Sequence, residues 1–362
     1  MARARELGIR IGDGTPGPLD AITDVAGVRV GHRTIVRGDP GASDAVRTGV
    51  TTIFPHEGEP WREWVYAGTH ILNGYGELIG INQIQEWGVL MSPIVLTSSL
   101  QIGKAYDATV RWIASSDREA AGEVMPVVSE CDDSWLSDAL SFPLGDDDVA
   151  AALNDAVEGP VAEGCVGAGT GMACFDFKGG IGTASRVLPD EVGGYTLGVL
   201  VLTNYGDRER LMIDGVPVGA AIPDLMPTHH QDGSCVVIVA TDAPVLPHQL
   251  RRVAQRAGMG LAATGSYASN GSGEQMLAFS TANRVSSGGE EFDARAIADG
   301  PIETRHSLSS LFQATIDATQ EAVLNALLAA ETTTGKDGLT LFAMPADRMV
   351  DELSRSGRIL RT

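Results

Sequence analysis

The pentapeptide Asn270-Gly271-Ser272-Gly273-Glu274 runs directly into the apolar stretch Met276-Leu277-Ala278-Phe279, and no other segment constrains the chain as much. It sets a glycine-flanked hydroxyl at the mouth of a buried strand. Two readings compete. In the first, NGSG is only a hairpin or turn, as most such tetrapeptides are. In the second, the chain cuts itself here: the Ser272 hydroxyl attacks the carbonyl of Gly271, an N-to-O acyl shift gives an ester, and water splits the backbone. Ser272 then becomes a new N-terminus. Its amine, with an ordinary pKa of roughly 7.7–8.0, serves as base for its own hydroxyl, and no distant histidine is required. Gly271 suits its position because, lacking Cβ, it tolerates strained backbone and leaves its carbonyl open to Oγ.

Other apolar runs, at residues 50–54, 89–96, 197–203 and 236–240, are hydrophobic on both alternating faces, which predicts strands covered on each side. Between them lie helical spacings. Leu250, Val253, Ala254, Ala257 and Leu261 predict a helix over 247–261; Leu311, Phe312, Ala322, Val323, Ala326 and Leu327 predict one over 307–330. No Pro/Ser/Gly linker and no fixed-period repeat divides the chain, so residues 1–362 are expected to form a single domain. Strands mixed with amphipathic helices at this length predict a layered α/β architecture, with sheets packed on each other and helices outside.

Twenty-six Lys and Arg against 47 Asp and Glu leave a net charge of −21, which argues against nucleic acid and anionic membrane as partners. Cys131, Cys165, Cys174 and Cys235 have neither CxxC nor zinc-type spacing and read as reduced, buried thiols. No metal site is expected: His229 and His230 are adjacent on a polar, Pro-containing loop and lack an acidic or thiol cluster. No cofactor is expected either, since the glycine-rich run 167–182 fails the phosphate-loop pattern, with Lys178 followed by Gly179 rather than Ser or Thr. A G-x-S-x-G elbow is also missing. The N-terminus lacks an apolar h-region and no uninterrupted apolar run approaches 18 residues, so a cytoplasmic location is expected.

Several blocks then carry a resemblance. They are residues 7–32 (LGIRIGDGTPGPLDAITDVAGVRVGH), Arg47-Thr48-Gly49-Val50-Thr51, Asn73-Gly74-Tyr75-Gly76-Glu77-Leu78, the twenty residues 167–186 (GAGTGMACFDFKGGIGTASR), Asn204-Tyr205-Gly206, residues 215–219 and 240–244, and NGSGE followed by residues 278–283. In content and order the chain resembles the L-aminopeptidase D-amidase/D-esterase and β-peptidyl aminopeptidase family of self-processing N-terminal-nucleophile hydrolases. The resemblance sharpens the fold to an αββα sandwich and implies cleavage into 1–271 and 272–362. It also implies small peptide or amide substrates with a free amine, and homo-oligomers of tetramer size or larger.

Residue by residue, the resemblance makes Ser272 the nucleophile. Asn204, which follows an apolar strand, becomes an oxyanion-hole donor, an uncharged N–H suited to a developing negative charge. Lys178 in the FKGG motif falls near the nucleophile, where an ammonium could lower the amine's pKa. Thr319 and Glu321 match a hydroxyl or acid and a carboxylate that hydrogen-bond the nucleophile and its amine. Residues two apart do not share a helix face, so on a regular helix one of them is misassigned, with Asp317 as the replacement. Glu130 matches the glutamate that receives the substrate's ammonium. Two positions on, Asp132 stands where better-known members carry an aromatic residue, which leaves stereochemistry and side-chain size open. The leading reading is an aminopeptidase or amidase that releases N-terminal residues from small peptides, amides or esters. The alternatives are the same chemistry on ω-amino acid oligomers or in acyl transfer, and an uncleaved binding protein without catalysis.

Overall fold

The computed structural model describes residues 2–228, 233–288, 294–297 and 307–359. Among the described residues fifteen strands and six α-helices build it: β1 (Arg29–Arg37), β2 (Val46–Phe54), β3 (Glu63–Gly74), β4 (Leu78–Ile79), α1 (Ile81–Trp87), β5 (Val89–Leu90), β6 (Ile94–Ser98), α2 (Ile102–Ser116), β7 (Val127–Cys131), α3 (Asp146–Asn154), β8 (Ala173–Cys174), β9 (Phe177–Lys178), β10 (Ile181–Val187), β11 (Thr196–Asn204), β12 (Ser234–Thr241), α4 (Pro247–Ala263), β13 (Gly273–Ser286), α5 (Ser307–Ala329), β14 (Thr333–Thr334), β15 (Thr340–Leu341) and α6 (Ala346–Arg355). The two large sheets have the orders β1-β2-β6-β7-β4 and β10-β11-β12-β13-β3-β5, and β8 with β9 and β14 with β15 form two-stranded ones.

The alternation of the central strands explains the layers. Leu200, Leu202, Val236, Ile238, Leu277 and Phe279 turn toward the five-stranded sheet and meet Ile53, Ile94 and Leu96. Their neighbours Val199, Val201, Val237, Val239, Met276 and Ala278 turn the other way, onto residues of α4 and α5 such as Leu250, Val253, Ala318 and Ala322. On the far side, Val50, Val95 and Val128 pack against Ala105 and Ala108 of α2 and Val149 and Ala152 of α3. The result is the expected αββα sandwich. Strands covered on both faces have no solvated side, which is why 236–240 reads as an unbroken apolar run.

Each large sheet contains one parallel pair, β6 with β7 and β12 with β13. A parallel pair needs a crossover, and α2 and α4 supply them. Pro247 at the first turn of α4 costs nothing there, because the first N–H groups of a helix have no intrahelical partner. The stretch 89–96 differs from expectation: it forms two strands, and they belong to different sheets. Pro93 between them has no N–H for a ladder, and the Ser92 hydroxyl accepts the Val127 N–H instead. The Cys165 thiol is only partly buried, unlike those of Cys131, Cys174 and Cys235. None of the described helices is long and apolar enough to cross a membrane.

The outer helices sit flush on the sheets where side chains are missing. A Cβ on Gly182 of β10 would lie 1.9 Å from the Ala322 carbonyl oxygen of α5, and one on Gly68 of β3 would lie 2.3 Å from the Arg251 nitrogen of α4. Backbone cannot yield as a flexible side chain does. Gly182→Ala should therefore destabilise the protein by about 1–3 kcal/mol through overpacking, read as an earlier unfolding midpoint in denaturant titration with unchanged slope; an unchanged midpoint would mean that α5 is free to lift.

Candidate active site

The C-terminal ends of β7 and β11 and the N-terminal ends of β12 and β13 converge at one end of the sandwich. There a cavity of about 570 Å³ opens, lined among others by Tyr75, Glu77, Glu130, Asp132, Ser134 and Gly271. Glu130 ends inside it with no cation at hydrogen-bonding distance among the described residues. Its Oε1 accepts the Glu77 N–H at 2.8 Å, and its Oε2 accepts the Ser99 hydroxyl. Burial raises the Glu130 pKa, against these two hydrogen bonds. Gly76 lets this carboxylate approach the strand that follows Ser272. A methyl group there would stand 3.3 Å from Glu130 Oε1 and 3.5 Å from Gly273 Cα.

Ser272 is 2 % exposed, while Gly271 lines the cavity. The Ser272 N–H donates to the Ser269 carbonyl at 2.9 Å, and its own carbonyl accepts the Tyr75 N–H at 3.3 Å. Its hydroxyl donates to Oε1 of Glu274. The two residues are i and i+2 at the start of a strand, so their side chains leave on the same face. Glu274 is fully buried, burial raises its pKa against the Ser272 hydrogen bond, and its Oε2 has no hydrogen-bond partner among the described residues. The motif NGSGE contained this pair, and strand periodicity was the signal that could have found it.

Asn204 ends β11 and lies opposite Ser234 of β12, which in turn lies opposite Gly273. Its carboxamide joins the two sheets: Oδ1 accepts the Ala173 N–H at 2.9 Å, and Nδ2 donates one hydrogen to the Asp132 carbonyl at 2.9 Å. The Asp132 carboxylate receives the Ser134 N–H and hydroxyl at 2.8 and 2.9 Å. Asn204 and Asp132 thus meet at the cavity. Lys178 pairs in the β8–β9 hairpin with Ala173, the residue whose N–H donates to Asn204. It is fully buried, and its Nζ donates to the carbonyls of Gly169 and Gly179 at 3.0 and 2.9 Å. Burial lowers its pKa. Among the described residues no group of three or more His, Cys, Asp or Glu is arranged to hold a metal ion; His229 and His230 lie outside them.

The profile of peptidase family S58 matches residues 20–341. The chain belongs to this family. It is 42 % identical to the β-peptidyl aminopeptidase BapA of Sphingosinicella xenopeptidilytica, over 96 % of this chain and 90 % of that one. The solved L-aminopeptidase D-Ala-esterase/amidase of Ochrobactrum anthropi, described as a prototype for the serine aminopeptidases and a variant of the Ntn hydrolase fold, superposes with a TM-score of 0.91 at 40 % identity, covering 99 % of this chain and 100 % of that one. A Burkholderia sp. β-aminopeptidase superposes with a TM-score of 0.89 at 42 % identity, covering 98 % and 99 % of the two chains. The fold of this S58 peptidase is accordingly that of an Ntn hydrolase.

Two expected members of the nucleophile network are engaged elsewhere in the S58 chain. Thr319 is fully buried, its hydroxyl donates to the Thr315 carbonyl at 2.7 Å, and it faces α4, where a Cβ on Gly260 would fall 2.6 Å from it. Glu321 points another way. It pairs with Arg186 Nη2 at 2.6 Å and with Arg5 Nε at 2.7 Å, tying the N-terminal segment to β10 and α5. Asp317, the replacement, accepts from Gln313 at 2.7 Å and abuts Gly12. No hydrogen bond joins any of the three to Ser272. The helix geometry that forbids Thr319 and Glu321 one common face is the reason they part.

Arg186 is as buried as its partner, so removing Glu321 would leave a guanidinium enclosed without its closest counter-charge. Glu321→Ala should lower the unfolding free energy by about 3–5 kcal/mol, measured by denaturant titration, while kcat/KM of the folded fraction stays within about a factor of two. A loss of about a hundredfold in kcat/KM with stability intact would return Glu321 to the nucleophile network.

Proposed function

We propose that this S58 peptidase is a self-processing serine aminopeptidase that releases N-terminal residues from small peptides, amides or esters. The observation that carries the reading is one cavity lined both by Gly271 and by a buried carboxylate, Glu130, that has no cation beside it among the described residues. A substrate ammonium entering this cavity finds its counter-charge in Glu130, and its first carbonyl then falls toward the start of β13. Asp132 adds a second acidic group at the rim. Similarity to relatives named for β-peptides, L-amino acids and D-Ala esters supports the same substrate class without choosing among them.

In the mature enzyme Ser272 Oγ attacks the scissile carbonyl and its own amine takes the proton. Asn204, with one amide hydrogen beyond that given to Asp132, stabilises the oxyanion, and Lys178 contributes by fixing the β8–β9 hairpin that Asn204 binds. Water then hydrolyses the acyl-enzyme.

Two tests follow from this. Intact mass of the purified wild type should give fragments 1–271 and 272–362 that co-elute, whereas Ser272→Ala should remain full length and inactive; a fully active chain that is never cleaved would overturn self-processing. The second concerns the amine. A charge-assisted hydrogen bond contributes about 1.5–3 kcal/mol, so N-acetylated aminoacyl amides should be turned over about ten to a hundred times less efficiently than free ones, and Glu130→Gln should narrow that gap. Because burial raises the Glu130 pKa, the preference should strengthen as pH rises through that value and fade below it, where the carboxyl is neutral. Equal kcat/KM for free and acetylated L-, D- and β-aminoacyl amides would replace the aminopeptidase with a general amidase.

A further inference from the structure

The mature mechanism draws its base from an amine that does not exist before cleavage. In the continuous chain the Ser272 nitrogen is an amide, and it already donates its hydrogen to the Ser269 carbonyl. An amide nitrogen cannot accept the hydroxyl proton, so maturation needs another acceptor. Among the described residues the Ser272 hydroxyl has one side-chain partner, the carboxylate of Glu274.

We propose that Glu274 is the general base and acid of self-cleavage, distinct from the base of turnover. This inference rests on the self-processing reading above and assigns its first proton transfer. The carboxylate Oε1 removes the proton from Ser272 Oγ as Oγ bonds to the Gly271 carbonyl carbon. The resulting Glu274 carboxylic acid returns that proton to the Ser272 nitrogen as the C–N bond breaks, leaving an ester between Gly271 and Ser272 Oγ and a free amine. Water then adds to the ester carbon, Oγ departs with a proton, and Gly271 ends in a carboxylate. Glu274 is regenerated, and the amine it released takes over as base for turnover.

The surroundings of Glu274 suit this task. No cation pairs with it among the described residues, and its burial beside Asn73 favours the protonated form more than water would, which makes it a stronger acceptor than an exposed carboxylate. Its position is fixed by the backbone, since Glu274 pairs with Asn73 of β3 and Cys235 of β12.

The experiment is a time course of self-cleavage after cell-free synthesis of the full chain, read by intact mass between pH 5 and 9. Wild type should mature with a rate that rises with pH through the raised pKa of Glu274 and then levels. Glu274→Gln should mature at least about a hundredfold more slowly, the lower range for general base catalysis, and should lose that inflection while melting like Ser272→Ala. Glu274→Asp, which withdraws the carboxylate by one methylene, should be slowed but keep the inflection. Wild-type rate and pH profile in a folded Glu274→Gln, or an unchanged rate in Glu274→Asp, would overturn the assignment. Failure of the self-processing reading looks different: wild type then remains full length, or Ser272→Ala cleaves as wild type does.

Discussion

The ladder of β13 is the constraint on which the rest depends. This strand is hydrogen-bonded along both edges, parallel to β12 and antiparallel to β3, and its first eight residues are buried. The Gly273 N–H is held by the Gly233 carbonyl on one side, and the Ser272 carbonyl by the Tyr75 N–H on the other. The peptide bond before Ser272 is therefore the last one outside the ladder. A break there would cost one local hydrogen bond, that of the Ser272 N–H to Ser269, and leave every pairing of β13 in place. Its neighbours β12 and β3 both precede the break in sequence, so the two pieces would share one sheet. Satisfied backbone groups in a closed core hold them together without any new contact.

Much of this architecture was legible because buried strands advertise themselves. The runs 197–203 and 236–240 alternate between two apolar layers and cannot be solvated on either side, and both are strands. The run 89–96 misled for the same reason: its apolar residues conceal a change of sheet, and Pro93 was the one mark of it. At the site, the meeting of Glu130 with the start of β13 lies beyond any periodicity. It depends on residues 74–77 passing close to Gly273, a contact that requires glycine at 273, where a Cβ would lie 2.4 Å from the Tyr75 carbonyl oxygen, and is eased by glycine at 76. Family likeness supplied what spacing could not. Likeness also drew Thr319 and Glu321 toward the nucleophile, although helix geometry already denied them a common face. On β13 the opposite rule holds, since residues two apart do share a face. Glu274 is legible on that ground, two residues after Ser272.

Acidic residues here divide by what stands beside them. Glu57 accepts two hydrogen bonds from Arg284 at the surface, and its pKa is pulled down to about 2. Glu321 is enclosed but answered by two guanidiniums, so its charge is spent on architecture. Glu130 and Glu274 are enclosed without a cation among the described residues, and burial pushes both toward the neutral form. Such groups are costly in a core unless the missing partner arrives in function. On the proposed function the partner of Glu130 is an ammonium, since the group lines a cavity and accepts two hydrogen bonds that hold it ionisable. For Glu274 it is a proton, because among the described residues the Ser272 hydroxyl is the group that donates to it. Glu130 lines one cavity with Gly271, and Glu274 accepts the hydroxyl of the next residue, Ser272, so glycines at 271 and 273 leave the backbone between the two carboxylates without side chains.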